Sequence, residues 1–367
     1  MTKKQIMRSV AFFLVVCLML AVLRDLFELD NTTNYDKRLS SYSKLNENTV
    51  DAIYIGTSGV DRYWNPANAY DKYGMTVSLY SVDGMLTALY TNAIESASVK
   101  QDIKLVLVDA RAYGHTYSVK DTDVCARRQM DAITYLSPTW FKTVKKTIVT
   151  MEKLGDCDFE RKLSYYVPFV KYHTKWADDD FLISENIGNR PHKYLGFFIN
   201  SSLSTKVVAQ QPVKYNTESR KPLDPIAEES LYELLDFAKE KDLQLLFVDT
   251  PQFMDEKEMA RANTLADILK EKEQTYLNFN LPEVQKKYGL EMDPSKDYYN
   301  NSHTNFYGAE RFTEVLGKYL DENYDLPDRR NDDAVKEDWD GIYNKILDNI
   351  KKIEKKAAEK AAKKANK

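Results

Sequence analysis

The chain has 367 residues and a formal net charge of −4, too small an imbalance to point to a nucleic-acid partner. With 25 Tyr, 15 Phe and only 12 Gly it is built to bury a core and not to stay disordered.

The first element is an apolar run, Val10 to Leu23, preceded by Lys3, Lys4 and Arg8. Fourteen residues of helix span only about 21 Å, against a hydrocarbon core of about 30 Å. Counting from Ile6, with Arg8 snorkelling toward the headgroups, lengthens the run to 18. The basic residues before it favour a cytoplasmic N-terminus and an extracytoplasmic main domain. A cleaved signal peptide has the same shape, but Arg24-Asp25-Leu26-Phe27-Glu28 offers no small-residue cleavage site. The expectation is therefore an uncleaved single-pass anchor within 1–29, followed by a polar juxtamembrane linker over 30–48.

Beyond it the pattern alternates. Strand-like runs lie at Ala52–Gly56, Val77–Tyr80, Leu105–Asp109 and Leu245–Asp249, with a weaker one at Thr275–Asn278. Helical patterns lie at about Met85–Val99, Thr139–Leu154, Ala227–Lys241, Lys257–Glu273 and Thr304–Leu320. Apolar strands without alternation, separated by helices, predict an α/β fold: a mostly parallel sheet with helices on both faces. The stretch of about 112–225 reads as an insertion over the sheet or as a helical extension of the core. The main domain is placed at 49–335, and 336–367 as a helix with a Lys/Ala-rich tail, which is solvated or rests on anionic polymer or lipid.

Three cysteines, Cys17, Cys125 and Cys157, leave a disulfide between the last two open. With four histidines and no Cys-x-x-Cys or His-x-x-x-His, no metal site is expected. His115, His173 and His192 show no partner spacing and receive no role. Asp109 and Asp249 close strands and read as turn formers.

Two segments carry chemistry. In Gly56-Thr57-Ser58-Gly59-Val60 a serine follows the first strand; in Asn300-Asn301-Ser302-His303 a histidine precedes a helix. A serine that the fold brings to a histidine can attack a carbonyl, the imidazole taking the hydroxyl proton. Ser58 could instead be a helix cap, His303 a loop residue, Gly84 a turn glycine and Arg111 a surface side chain. The Gly-x-Ser-x-Gly elbow of α/β-hydrolases is absent, since position 60 is valine.

The order of these blocks resembles the SGNH/GDSL hydrolase family, whose fold is flavodoxin-like. Gly-Thr-Ser58 stands at its first block and Tyr80-Ser-Val-Asp83-Gly84 at its oxyanion glycine. Leu105-Val-Leu-Val-Asp109-Ala-Arg111 matches the third strand and its exit, Leu246-Phe-Val-Asp249-Thr-Pro251 the next, and Asn300-x-x-His303 the Asp-x-x-His block. The likeness is to membrane-anchored Gram-positive proteins similar to the D-alanyl transfer protein DltD and to alginate O-acetylation proteins. It implies a Ser58 nucleophile, a His303 base, Gly84 as oxyanion donor, no cofactor, and O-acyl transfer or ester hydrolysis on an envelope polysaccharide or teichoic polymer, with a membrane-bound O-acyltransferase as partner. Two departures stand out: Asn300 replaces the aspartate that would orient the imidazole, with Asp297 as a substitute, and the Gly-x-Asn block is missing, leaving Arg111 to meet an oxyanion or an anionic acceptor. The rival expectation is a degenerate member that binds polymer or serves as a scaffold.

Overall fold

The computed structural model describes residues 2–26, 39, 42–131, 133–172, 194–199, 203 and 215–365. In chain order, α1 (Lys3–Leu26) is followed by β1 (Ala52–Gly56), α2 (Ser58–Asp61), α3 (Pro66–Tyr73) and β2 (Val77–Ser81). Then come α4 (Tyr90–Ala97), β3 (Leu105–Asp109), and the helices α5 (Val119–Asp131), α6 (Pro138–Lys153), α7 (Phe159–Tyr166) and α8 (Phe169–Tyr172). The second half holds α9 (Pro225–Lys241), β4 (Gln244–Asp249), α10 (Glu256–Glu271), β5 (Thr275–Asn278) and α11 (Pro282–Tyr288). A hairpin of β6 (Tyr298–Asn300) and β7 (His303–Thr304) leads into α12 (Phe306–Asn323), α13 (Asp333–Trp339) and α14 (Ile342–Ala365).

Helix starts follow local chemistry. Asn65, Ser137 and Asp224 each cap a helix whose first turn begins with proline. Asp255 and Glu258 form a reciprocal capping box at α10. Met85 and Leu86 stay outside the helix expected from Met85: a 3₁₀ turn at Thr87–Leu89 leads into α4. The last helix of the α/β domain likewise starts at Phe306 and not at Thr304, because Asn305 caps it through the Tyr307 and Gly308 N–H groups while Thr304 pairs in the hairpin.

Five strands form one parallel sheet in the order β2-β1-β3-β4-β5. Every residue of β1, β2 and β3 is buried, as a sheet covered on both faces requires. The chain steps from β1 to β2 on one side and then crosses to β3 on the other. The C-terminal ends of β1 and β3 therefore flank a topological switch point, where open α/β sheets hold their ligands. The main core runs through the sheet to Phe312, Leu316 and Leu320 of α12 and to Trp339 and Ile346 of the C-terminal helices. It also takes in Leu39, Tyr42 and Leu45 of the stretch read as a linker. Within 112–225, a second cluster of Met130, Ile133, Trp140, Val144, Met151 and Tyr165 gives α5, α6 and α7 a core of their own. Cys17, Cys125 and Cys157 are free thiols.

The N-terminal apolar run is helical, but no helix among the described residues is long and apolar enough to cross a membrane.

The end of β1 is set by close packing. Gly56 has φ +152°, and a Cβ there would lie 2.1 Å from the Asp109 Cβ. Gly56→Ala is expected to cost about 1–3 kcal/mol through overpacking, read as a lower urea midpoint at unchanged slope. Gly114→Ala, where an added Cβ meets nothing within 4 Å, should stay within about 0.5 kcal/mol.

Candidate active site

β1 ends at Gly56, Thr57 caps the short helix α2, and Ser58 is the first residue of that helix. The turn is held from the neighbouring strand. Asp109, fully buried at the end of β3, accepts from the Thr57 backbone N–H at 2.9 Å and from the Thr57 hydroxyl at 2.5 Å. Thr57 Oγ1 in turn accepts from the Gly59 N–H. The serine is thereby presented at the sheet edge by a charge-assisted clamp on the residue before it. Asp109 is thus no ordinary turn former, and only its position at a strand end gave a sequence signal.

The histidine arrives on the β6–β7 hairpin, whose antiparallel register pairs Asn300 with His303 across the two-residue turn Asn301-Ser302. Four contacts pin that hairpin to other loops. The Tyr63 hydroxyl donates to the Pro251 carbonyl at 2.6 Å and lies 3.3 Å from the Ser302 carbonyl. Arg111 Nη1 donates to the same Ser302 carbonyl at 2.8 Å. The Phe253 N–H donates to the Asn301 carbonyl, and the Thr304 hydroxyl to the Arg62 carbonyl. The outcome is a Ser58 Oγ to His303 Nε2 distance of 2.8 Å between residues 245 positions apart.

Asn300 fills the orienting place. Its Oδ1 accepts from the Ser302 backbone N–H at 2.9 Å, which fixes the amide's orientation, and lies 3.0 Å from His303 Nδ1. A carbonyl oxygen facing Nδ1 requires the proton on that nitrogen, so the Nε2 lone pair faces the Ser58 hydroxyl. The amide sets the tautomer that a general base needs, without supplying charge. Asp297 does not substitute for it. That buried carboxylate accepts from the Asp293 N–H and pairs with Arg311 at 3.2 Å.

Two guanidiniums bear on the imidazole. Burial, followed by the charges of Arg62 and Arg111, pushes His303 down to about 3. Each unit below the ordinary value adds about 1.4 kcal/mol to the cost of forming the imidazolium. Arg62 gave no signal in the sequence, although it lies one helical turn after Ser58. Below the site, burial and then the charge of Asp109 push Asp249 up to about 7.

Gly84 occupies the turn after β2 at φ +73°, where a Cβ would lie 2.5 Å from Cys125 Sγ. It lines, with Thr57, Met85, Ala112, His115 and Tyr117, a cavity of about 270 Å³ that adjoins the turn carrying Ser58. His115 thus belongs to the wall of this cavity, with burial as the main cause of its lowered pKa. His173 and His192 lie outside the described residues. Among the described residues no cluster of three or more His, Cys, Asp or Glu could hold a metal ion.

If His303 acts as a general base, the neutral imidazole is the reactive form, and with its pKa near 3 it stays neutral through the working range. The acylation rate is expected to show no acid limb near pH 6.5. Asn300→Asp places a carboxylate on Nδ1, raises the imidazole pKa, and should introduce a limb below which the rate falls as pH drops. Its plateau should rise about ten- to thousandfold, because the imidazolium formed on attack is then paired. The measurement is the acylation rate of both proteins by one activated ester against pH; an unchanged or lower plateau would contradict this account of Asn300.

No family model matches the chain, and no curated protein matches it. Among solved structures it is similar to the crystal structure of a candidate acylhydrolase from Bacteroides fragilis. That similarity has 9% identity and a TM-score of 0.36, and it spans 80% of this chain and 99% of the other.

Proposed function

We propose that this chain is an SGNH-like serine acyl-transfer enzyme, an O-acyltransferase or esterase. The observation that carries this reading is the Ser58 Oγ to His303 Nε2 contact of 2.8 Å, with the tautomer set by Asn300. His303 takes the proton as Ser58 Oγ attacks an ester carbonyl, and the same proton passes to the leaving alcohol as the acyl-serine forms. Water or an acceptor hydroxyl then attacks that acyl-serine by the reverse route. The oxyanion donors in this reading are the backbone N–H groups of Ser58 and Gly84. No cofactor takes part.

The substrate class in this proposal is a cell-envelope polysaccharide or teichoic polymer. The chain is held at the membrane by its N-terminal helix, with its main domain outside and a membrane-bound O-acyltransferase as partner. Support comes from the basic residues before the apolar run and from the exposure of Phe12, Phe13 and Leu18 on α1.

A second reading, a catalytically degenerate polymer-binding or scaffold protein, is favoured by the neutral Asn300 and the low basicity of His303.

A fluorophosphonate probe decides between them. Wild-type protein should be labelled at Ser58, Ser58→Ala should not be labelled, and His303→Gln should react at least about a hundredfold more slowly. Wild-type protein inert to both the probe and an aryl acetate would overturn the enzymatic reading.

A further inference from the structure

The loops that leave β1, β2 and β3 enclose, together with α5, the cavity of about 270 Å³ beside the turn carrying Ser58. Thr57 comes from the first loop, Gly84, Met85 and Leu86 from the second, and Ala112 from the third. α5 adds Thr122 and Cys125, so part of the 112–225 stretch shapes this cavity. Attack on an ester needs room for both halves of the ester. Where that room lies relative to His303 decides which half fills it.

The leaving alcohol must come within reach of His303 Nε2, which passes the serine proton to it. His303 sits on the β6–β7 hairpin, and among the described residues neither that hairpin nor α12 contributes to the cavity wall. The wall instead holds Thr57, which precedes Ser58, and Gly84, the second oxyanion donor in the reading above. A carbonyl with its oxygen toward the Ser58 and Gly84 N–H groups, and its leaving oxygen toward the imidazole, turns its remaining substituent into the cavity. That substituent is the acyl chain.

The wall suits hydrocarbon. Met85 and Ala112 are buried, and the Cys125 thiol packs so closely on Gly84 that a Cβ there would lie 2.5 Å from its Sγ. Polar groups of the wall are tied back to the protein. The Tyr117 hydroxyl lies 2.9 Å from Thr87 Oγ1 and accepts from the Ala88 N–H at 2.9 Å, and the Ser118 hydroxyl donates to Asp121 at 2.7 Å. Thr122 Oγ1 is buried with no hydrogen-bond partner among the described residues. A closed cavity of about 150 Å³ is enough for benzene, a ligand of six carbons. The larger volume here takes a chain of that length with room to spare, whereas an acetyl methyl would fill little of it.

We propose that this cavity is an acyl-chain site, and that the group transferred to Ser58 is a straight alkanoyl chain of about four to eight carbons and not acetyl. The proposal rests on the acyl-transfer reading and names its acyl group. The bond formed is from Ser58 Oγ to the acyl carbon, the bond broken is from that carbon to the leaving oxygen, and the serine proton leaves on the alcohol through His303. Each methylene that enters the cavity favours the longer ester by about fourfold. The gain ends where the chain outgrows the wall, and Leu86 and Ala112 set that limit from two different loops.

The test compares 4-nitrophenyl esters from acetyl to dodecanoyl on the full-length protein, each below its aggregation concentration. kcat/KM should rise at least about tenfold from acetyl to hexanoyl and fall again by dodecanoyl. Ala112→Leu, which fills the cavity, should lower the hexanoyl-to-acetyl ratio at least about tenfold. Leu86→Ala, at a partly exposed position, should move the optimum to longer chains, and it reads the same cavity if the first variant does not fold. Binding is followed without turnover in Ser58→Ala protein. Hexanoate should slow the labelling of Cys125 by N-ethylmaleimide and acetate should not, while Cys157, which packs on the separate core of α5 to α7, should be labelled equally in both. A profile that is flat or falls from acetyl onward in protein labelled at Ser58 by the fluorophosphonate overturns the acyl-chain site and leaves acyl transfer standing. A profile that neither variant alters does the same. Protection of Cys125 by hexanoate in protein inert to the fluorophosphonate keeps a chain-binding site and removes the acyl-transfer reading.

Discussion

The clamp between Asp109 and Thr57 is the interaction on which the rest of the site depends. Two parallel strands end side by side at the switch point, and a carboxylate from one holds both the backbone and the hydroxyl of the residue leaving the other. A buried carboxylate is costly unless its oxygens accept hydrogen bonds; Thr57 supplies two to Oδ2, while Oδ1 is buried with no hydrogen-bond partner among the described residues. The close approach leaves no room for a side chain at position 56, so Gly56 and Asp109 form one packing unit. The direction in which Ser58 points follows from that unit.

The second half of the site is a matter of anchoring. His303 sits on a two-strand hairpin that contributes little core of its own, and a hairpin of that size is marginal by itself. It is fixed because loops from β1, β3 and β4 each reach its turn: Tyr63 and Arg111 converge on the Ser302 carbonyl, and Phe253 holds Asn301. The same short turn makes Asn300 and His303 face one another, which explains why a spacing of three suits an orienter and its histidine.

Electrostatics sets the chemical character of this pair. An amide at position 300 gives His303 its tautomer, while burial and two guanidiniums make protonation costly. The pair is thus in hydrogen-bonding geometry while its imidazole is held neutral. The site thus separates two duties that an aspartate would combine, orienting the ring and stabilising its cation.

Local chemistry in the sequence determined much of the framework. The five apolar strands, the parallel α/β class and the approximate limits of α6, α9 and α10 were legible, because burial on both faces leaves unbroken apolar runs and because those helices carry a long apolar stripe; the shorter α3 and α5 were not read. Ser58 at a strand exit and His303 before a helix were legible for the same reason. Only the tertiary structure decided what surrounds them. That Asn300 faces the ring while Asp297 pairs with Arg311 depends on a hairpin too short to leave a periodic signal. The roles of Asp109 and Arg111 depend on strands adjacent in space but about 50 residues apart in the chain, and no local pattern encodes a contact at that distance.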